Sequence, residues 1–172
     1  VVIDVANLDD KVEVPPFLVL KSDGAAMYST TDLATIVNRQ KRFSPQEYWY
    51  VADNRQSLHF TQLFRATKKA NYVDENTTFT HFAFGTMNGK DGKPFKTRDG
   101  GVMSALTLID NVKTEIRNKM ADNNEVNDEI CDIISSATLK FADLSNNRET
   151  DFIFDIDKFC ALEGKTGPYI LY

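Results

Sequence analysis

The sequence contains few of the residues that build metal centres or disulfide frameworks. Its 172 residues include two cysteines and two histidines. Cys131 and Cys160 lie far apart in apolar segments with helical patterns, which excludes a disulfide scaffold or a zinc cluster and favours a reducing, cytoplasmic setting. No hydrophobic run approaches the roughly 18 apolar residues that a membrane span needs, and no signal peptide opens the chain. We therefore expect neither a membrane association nor a metal site.

A large excess of positive charge is also absent. The formal net charge is −5, so a nucleic acid could be held only by a local basic patch. The apolar fraction of 42% is ordinary for a globular protein with one sizeable core and an attached subdomain. The first residue is Val1 rather than Met, which leaves two explanations, a processed chain or a piece of a longer one.

Short apolar runs alternate with helical patterns in the first half of the chain. Strands are predicted at 1–5, 17–20, 48–52 and 76–87, the second and third of them buried. Helical spacing predicts one helix from Thr31 to about Phe43, capped by Thr30 or Thr31, and another after Asn54. This alternation is typical of parallel units, so we expect an α/β fold with a partial parallel sheet up to residue 87.

Glycines and basic residues interrupt the pattern over residues 88–101. The segment contains Gly89, Gly92, Gly100, Gly101, Lys90, Lys93, Lys96 and Arg98. A flexible basic loop suits phosphate binding and charge stabilisation in phosphoryl or nucleotidyl transfer; a solvated turn is the alternative. Beyond the loop, apolar spacing predicts helices over 102–120 and 130–139, a short helix over 155–162, and the start of another at 168–172. These helices form a predicted helical subdomain.

Common nucleotide and hydrolase signatures are missing. The chain contains neither G-x-x-x-x-G-K-[ST] nor G-x-G-x-x-G, since Pro94 follows Gly92 and Lys93. This excludes a Walker-type nucleotide site. Glu149 and Asp151 are interpreted as part of a solvated face rather than as a hydrolytic pair.

The two histidines are the candidates for acid–base chemistry. His81 lies in an alternating strand and is interpreted as a half-buried structural residue. His59 follows Gln56 and Ser57 at the start of a helix, directly after a strand, where α/β sheets bind ligands. From the pattern alone His59 can be functional or structural. Ser57 and His59 face apart on the helix, so we expect no nucleophile–base pair.

Several separated motifs, in this order, resemble one protein family. They lie at 21–25, 28–34, 56–60, 89–98, 142–148 and 163–169. They resemble the second half of the catalytic domain of the arginyl-tRNA synthetases, a class I family, and the likeness runs from about residue 15 to residue 172. The resemblance implies half of a Rossmann-type domain over 1–87, a mobile basic activation loop over 88–101, and a helical connection over 102–172 that leads towards an anticodon-binding domain.

The resemblance implies ATP-dependent activation of L-arginine to arginyl-adenylate and its transfer to tRNA(Arg). ATP, accompanied by Mg²⁺, is then a substrate, and no bound prosthetic group is expected. The family's His-Ile-Gly-His-type motif is not among these residues, so we expect the isolated chain to be inactive. The alternatives are a non-catalytic arginine- or nucleotide-binding module and a plain structural α/β domain.

The resemblance also assigns an arginine pocket. Its tyrosine, aspartate and glutamine match Tyr28, Asp32 and Gln56. Tyr28 and Asp32 are four residues apart, which places both on one face of a helix. A carboxylate recognises a guanidinium by paired, charge-assisted hydrogen bonds that lysine cannot copy.

A second set of positions matches the family's ATP site. The adenosine side corresponds to His59, Gly85, Thr86 and Met87. The loop over the triphosphate corresponds to Lys93, Lys96 and Arg98, although this segment departs from the Lys-Met-Ser-Lys-Ser pattern of other class I enzymes. Lys93 and Lys96 are the favoured phosphate contacts.

Overall fold

A computed structural model describes residues 1–93, 103–120 and 127–171. The chain divides into two compact units, Val1–Ala83 and Phe84–Tyr172. The strands are β1 Val2–Ile3, β2 Phe17–Leu18, β3 Glu47–Asp53, β4 Thr78–Phe84, β5 Met87–Asn88 and β6 Phe152–Ile153. The helices are α1 Tyr28–Phe43, α2 Ser57–Lys69, α3 Ala105–Met120, α4 Asp128–Leu144, α5 Ile156–Phe159 and α6 Gly167–Leu171. The predicted α/β class is confirmed.

The described strands form three two-stranded pairs. β1 pairs with β2, β3 with β4, and β5 with β6. The β5–β6 pair is parallel, but its second strand, Phe152–Ile153, was not predicted, and β1 and β2 run antiparallel. The prediction of a buried parallel strand at 17–20 was wrong. β2 ends after Leu18, because the amides of Val19 and Leu20 both bond to the carbonyl of Val1. Leu18 is 38% exposed, so this strand lies at an edge.

Helix α1 begins at Tyr28, three residues before the predicted start. The hydroxyl of Thr30 accepts a hydrogen bond from the backbone of Met27 at 2.8 Å, so this threonine caps the helix from inside its first turn. Ser29 Oγ donates to the carbonyl of Leu18 at 2.5 Å and ties the helix start to β2. The helix ends as predicted, with Ser44 in the left-handed region (φ +44°) before Pro45.

The core of the first unit lies where α1 and α2 pack with β2 and β3. Its buried hydrophobic residues are Val5, Phe17, Leu33, Ile36, Tyr48, Phe60, Leu63 and Ala66. The prediction that β3 is buried on both faces was wrong, since Trp49 is 67% and Val51 74% exposed. Successive side chains of a strand point to opposite faces, and within the described chain only the Tyr48 face is covered.

One ion pair joins α2 to the loop after β1. Arg65 donates from both terminal nitrogens to the two carboxylate oxygens of Asp10, each at 2.7 Å, and also to the carbonyl of Val5 at 3.1 Å. These bonds lower the pKa of Asp10 to about 2. Arg65 therefore anchors the loop after β1 to α2.

The second unit is built on the α3–α4 pair. The buried residues of its core are Val112, Ile116, Cys131, Ala142, Phe154 and Cys160. Asn127 caps α4 by accepting the amide of Ile130 at 2.8 Å. The helix predicted over 155–162 is shorter than expected, because the Ala161 amide bonds back only three residues, to Lys158, and ends the helical pattern. None of the helices in the described ranges has the length and apolar character that crossing a bilayer requires.

Candidate functional site

Four residues predicted from the resemblance meet in the first unit. Tyr28 opens α1, Asp32 lies one turn later, and Gln56 and His59 lie at the start of α2. Tyr28 OH donates to Gln56 Oε1 at 3.0 Å. His59 Nε2 lies 2.7 Å from Asp32 Oδ2, and the rings of Tyr28 and His59 are 4.3 Å apart. We call these four residues the Asp32 cluster.

The turn between β3 and α2 positions Gln56. Asp53 accepts the amide of Arg55 at 2.8 Å and holds its guanidinium through two further bonds of 2.9 and 2.7 Å. These bonds lower the pKa of Asp53 to about 2. Ser57 Oγ donates to both the carbonyl and the side chain of Asn54. These bonds close the turn and fix its backbone. Gln56 lies within hydrogen-bond distance of Tyr28, the first residue of α1.

The Asp32 cluster lies at the surface, with Tyr28 and Gln56 exposed and with Asp32 and His59 partly buried. The side chain of Asp32 is 30% exposed and that of His59 is 16% exposed. Partial burial and the neighbouring Asp32 carboxylate raise the pKa of Tyr28, so its phenol stays protonated and can donate. A carboxylate beside a phenol and an amide suits a cationic ligand with several N–H donors.

Gly85, Thr86 and Met87 lie in the second unit, on the segment that leads into β5. The amide of Gly85 donates to the carbonyl of Arg148 at 2.8 Å. A Cβ at Gly85 would lie 2.2 Å from backbone atoms of Thr150, so only glycine fits here. Met87 pairs with Phe152 in the parallel ladder.

Asp151 holds the middle of that segment. Its Oδ1 accepts both the amide and the hydroxyl of Thr86, each at 2.7 Å. Asp151 is exposed, as its interpretation as part of a solvated face predicts, and it also makes these two structural bonds to Thr86. Sequence reasoning could not find this contact, because Thr86 and Asp151 are 65 residues apart in the chain.

The described part of the basic loop forms a tight turn. Gly89 N donates to the carbonyl of Lys93 at 2.8 Å, and Gly92 adopts a φ of +71°. Lys90 Nζ lies 2.5 Å from Asp157 and 3.0 Å from Asp155, and these carboxylates raise the pKa of Lys90. The charge of Lys90 is thus paired with two carboxylates. Lys93, one of the three residues predicted to contact phosphate, is exposed. The other two, Lys96 and Arg98, lie outside the described residues.

Other polar groups have structural roles or no partner. His81 Nε2 lies 3.1 Å from the carbonyl of Ala52, in agreement with its interpretation as a structural strand residue. Within the described chain, Tyr50 OH and Asn88 Oδ1 are buried without a hydrogen-bond partner, and no pattern in the sequence pointed to either.

The described ranges contain no group of three His, Cys, Asp or Glu residues that could hold a metal ion.

Comparisons with known proteins agree with the resemblance. The arginine–tRNA ligase of Alkaliphilus oremlandii is 50% identical over 175 residues, which cover 99% of this chain and 30% of that protein. The ligase of Francisella tularensis subsp. novicida is 52% identical over 163 residues, covering 95% of this chain and 28% of that protein. The chain thus spans about 30% of the length of these curated relatives.

Solved structures show the same fold. The arginyl-tRNA synthetase of Plasmodium falciparum matches 97% of this chain and 28% of its own, with a TM-score of 0.73 and 25% identity. That of Thermus thermophilus matches 98% of this chain and 33% of its own, with a TM-score of 0.73 and 19% identity, a likeness in fold alone. The family model for the catalytic domain of class I (R) tRNA synthetases matches residues 1–156. With nine-tenths of its length in that match, this chain belongs to the class I (R) tRNA synthetase catalytic-domain family.

Proposed function

We propose that the chain is the second half of the catalytic domain of an arginine–tRNA ligase. That enzyme would activate L-arginine with ATP to arginyl-adenylate and then esterify tRNA(Arg), in the cytoplasm. Family membership and relatives named as arginine–tRNA ligases support this function. The observation that carries the proposal is the Asp32 cluster, in which a partly exposed carboxylate lies beside a phenol and an amide.

The cluster has the chemistry of a guanidinium site. Asp32 would bind the guanidinium of arginine through charge-assisted bonds, with Tyr28 and Gln56 reading its remaining N–H groups. The Tyr28–Gln56 bond supports this assignment, because it fixes the two polar ends against each other before a ligand arrives. A lysine ammonium lacks the planar fork that such a site selects.

ATP would enter as its magnesium complex, a substrate of the reaction. We assign Gly85, Thr86 and Met87 to the adenosine side. The resemblance also implies His59 for that side, whereas its side-chain hydrogen bond is to Asp32. The close backbone packing at Gly85 and the Asp151 bonds to Thr86 support a rigid surface there. Lys93, Lys96 and Arg98 are proposed to contact the triphosphate, where cationic side chains stabilise charge that develops during adenylate formation.

The arginine assignment is tested by arginine-dependent ATP–pyrophosphate exchange in the full-length enzyme. Asp32→Ala should raise the KM for arginine by roughly 30-fold or more, because truncating one partner of a desolvated charge pair costs about 2 kcal/mol or more. The control is Lys69→Ala at the exposed end of α2, which should leave that KM unchanged. Equal effects of the two changes would contradict the pocket assignment.

The same assay separates the ligase from a non-catalytic binding module. The 172-residue chain alone should show no exchange, since the resemblance assigns phosphate stabilisation to a His-Ile-Gly-His-type motif that these residues do not contain. The full-length enzyme should exchange pyrophosphate only when arginine is present. A full-length protein that binds arginine in calorimetry without any exchange would favour the binding module.

A further inference from the structure

We propose that His59 is a positioning residue for Asp32, which it orients towards the guanidinium of the substrate. This inference rests on the proposed function and deepens it. The resemblance assigns His59 to the adenosine side, but its Nε2 lies 2.7 Å from Asp32 Oδ2. The imidazole therefore contacts the residue that is proposed to recognise arginine.

The direction of this hydrogen bond follows from the chemistry of its partners. An ionised carboxylate can only accept, so Nε2 carries the proton and donates. A neutral imidazole makes this bond through its Nε2–H tautomer and leaves the negative charge of Asp32 in place. Lysine or arginine at the same position would neutralise Asp32 permanently. Histidine can thus orient the carboxylate without cancelling the charge that a cationic substrate needs.

The aromatic residues around His59 fix the direction of its ring. Tyr28 lies 4.3 Å away between ring centroids, Phe60 packs edge-on at 5.3 Å, and Phe17 lies at 6.3 Å. Phe17 and Phe60 are buried core residues. Because the ring is held on several sides, its Nε2 points to one place, and the Asp32 carboxylate is held there.

The bond from His59 leaves Asp32 with acceptor positions for a ligand. A carboxylate has about four acceptor positions on its two oxygens. His59 occupies one of them at Oδ2, which restricts the rotation of the group and leaves others to accept a guanidinium N–H. An aspartate that is free to rotate would lose side-chain entropy each time arginine bound, and the bond from His59 removes much of that loss before binding.

The test compares two substitutions of His59 in the full-length enzyme by arginine-dependent ATP–pyrophosphate exchange. His59→Phe keeps a planar ring and removes the donor, so it should raise the KM for arginine about tenfold, as expected for a lost hydrogen bond to a charged group. The KM for ATP should change less than twofold. His59→Gln places an amide N–H near the position of Nε2 and should restore the KM for arginine to within about threefold of wild type.

A double-mutant cycle distinguishes action through Asp32 from direct contact with substrate. In the Asp32→Ala background, His59→Phe should raise the KM for arginine no further. The matched control is His81→Phe, which removes an imidazole bonded to a backbone carbonyl on a neighbouring strand and should leave both KM values unchanged. Additive effects in the cycle would overturn the positioning role.

The possible failures are distinguishable. A wild-type enzyme without arginine-dependent exchange overturns the proposed function and this inference with it. An active wild type whose His59→Phe variant keeps its KM for arginine overturns the inference alone. A variant that raises the KM for ATP instead shows that His59 acts on the nucleotide, which also overturns it. Thermal melts of both variants identify misfolding, and a folded His59→Gln variant that fails to restore the KM counts against the proposal.

Discussion

The close approach of α6 to α4 depends on Gly167. A Cβ at this position would lie 2.6 Å from the Cα and N of Thr138 and 2.7 Å from the carbonyl carbon of Ala137. Carbon atoms pack at about 3.5–4.0 Å, so Gly167→Ala would force the two helices about 1 Å apart. The clashing atoms are all backbone, and no side chain can rotate away. We expect a loss of about 3 kcal/mol in the free energy of unfolding, at the upper end for overpacking by one methyl group.

Gly164, three residues earlier, provides a matched control with a different requirement. Its φ is +86°, and a Cβ there would meet nothing within 4 Å. Gly164→Ala should cost about 1–2 kcal/mol because L-residues other than glycine disfavour the left-handed region. Gly164→Asn should cost less, since asparagine is enriched in that region. At Gly167 the larger asparagine should instead be worse than alanine.

The assay is equilibrium unfolding in denaturant followed by far-UV circular dichroism, which reports on all the helices of the chain, α4 and α6 among them. The expected order of destabilisation is Gly167→Ala above Gly164→Ala above Gly164→Asn. If Gly167→Ala were no more destabilising than Gly164→Ala, the backbones of α4 and α6 could not be as close as described. If asparagine were tolerated at Gly167, steric overlap would be the wrong explanation.

Two further predictions concern titration and reactivity. The folded-state pKa of Asp10 is lowered to about 2 by Arg65, so the stability it contributes is present above about pH 4 and lost as the pH falls from about 4 to 2. Asp10→Asn should therefore lower the melting temperature at pH 7 and have little effect near pH 2, and a pH-independent difference would refute the ion-pair explanation. Burial raises the pKa of Cys160 to about 12, so this thiol should react with a thiol reagent at pH 8 only after unfolding. Rapid labelling of Cys160 in the native protein, located by peptide mass, would contradict its burial.

The resemblance identified the residues of the candidate site, and local patterns predicted only the helix that carries Asp32 and the helix that follows Asn54. The four-residue spacing of Tyr28 and Asp32 places them on one face of α1 because a helix has 3.6 residues per turn. The position of Gln56 between a strand and a helix was also predicted correctly, since strand ends and helix starts have local sequence signals. The start of α1 was missed because Thr30 acts from the first turn rather than from the cap position.

Contacts between distant elements could not be predicted from local patterns. The bond between Asp32 and His59 spans 27 residues and depends on how α1 and α2 pack. The antiparallel β1–β2 pair and the exposure of Trp49 likewise follow from which faces are covered, and periodicity does not report this. Asp151 looked like an ordinary surface carboxylate because its partner Thr86 is remote in sequence.

The pairing of β5 with β6 has a consequence for synthesis on the ribosome. Met87 pairs with Phe152, so β5 lacks its partner until about 65 further residues have been translated. At roughly 5–20 residues per second this takes about 3–13 s. During that time α3 can form, since its backbone hydrogen bonds are local, while the strand that follows Gly85 stays unpaired. The proposed adenosine surface is therefore among the last parts of the second unit to be completed as the nascent chain emerges.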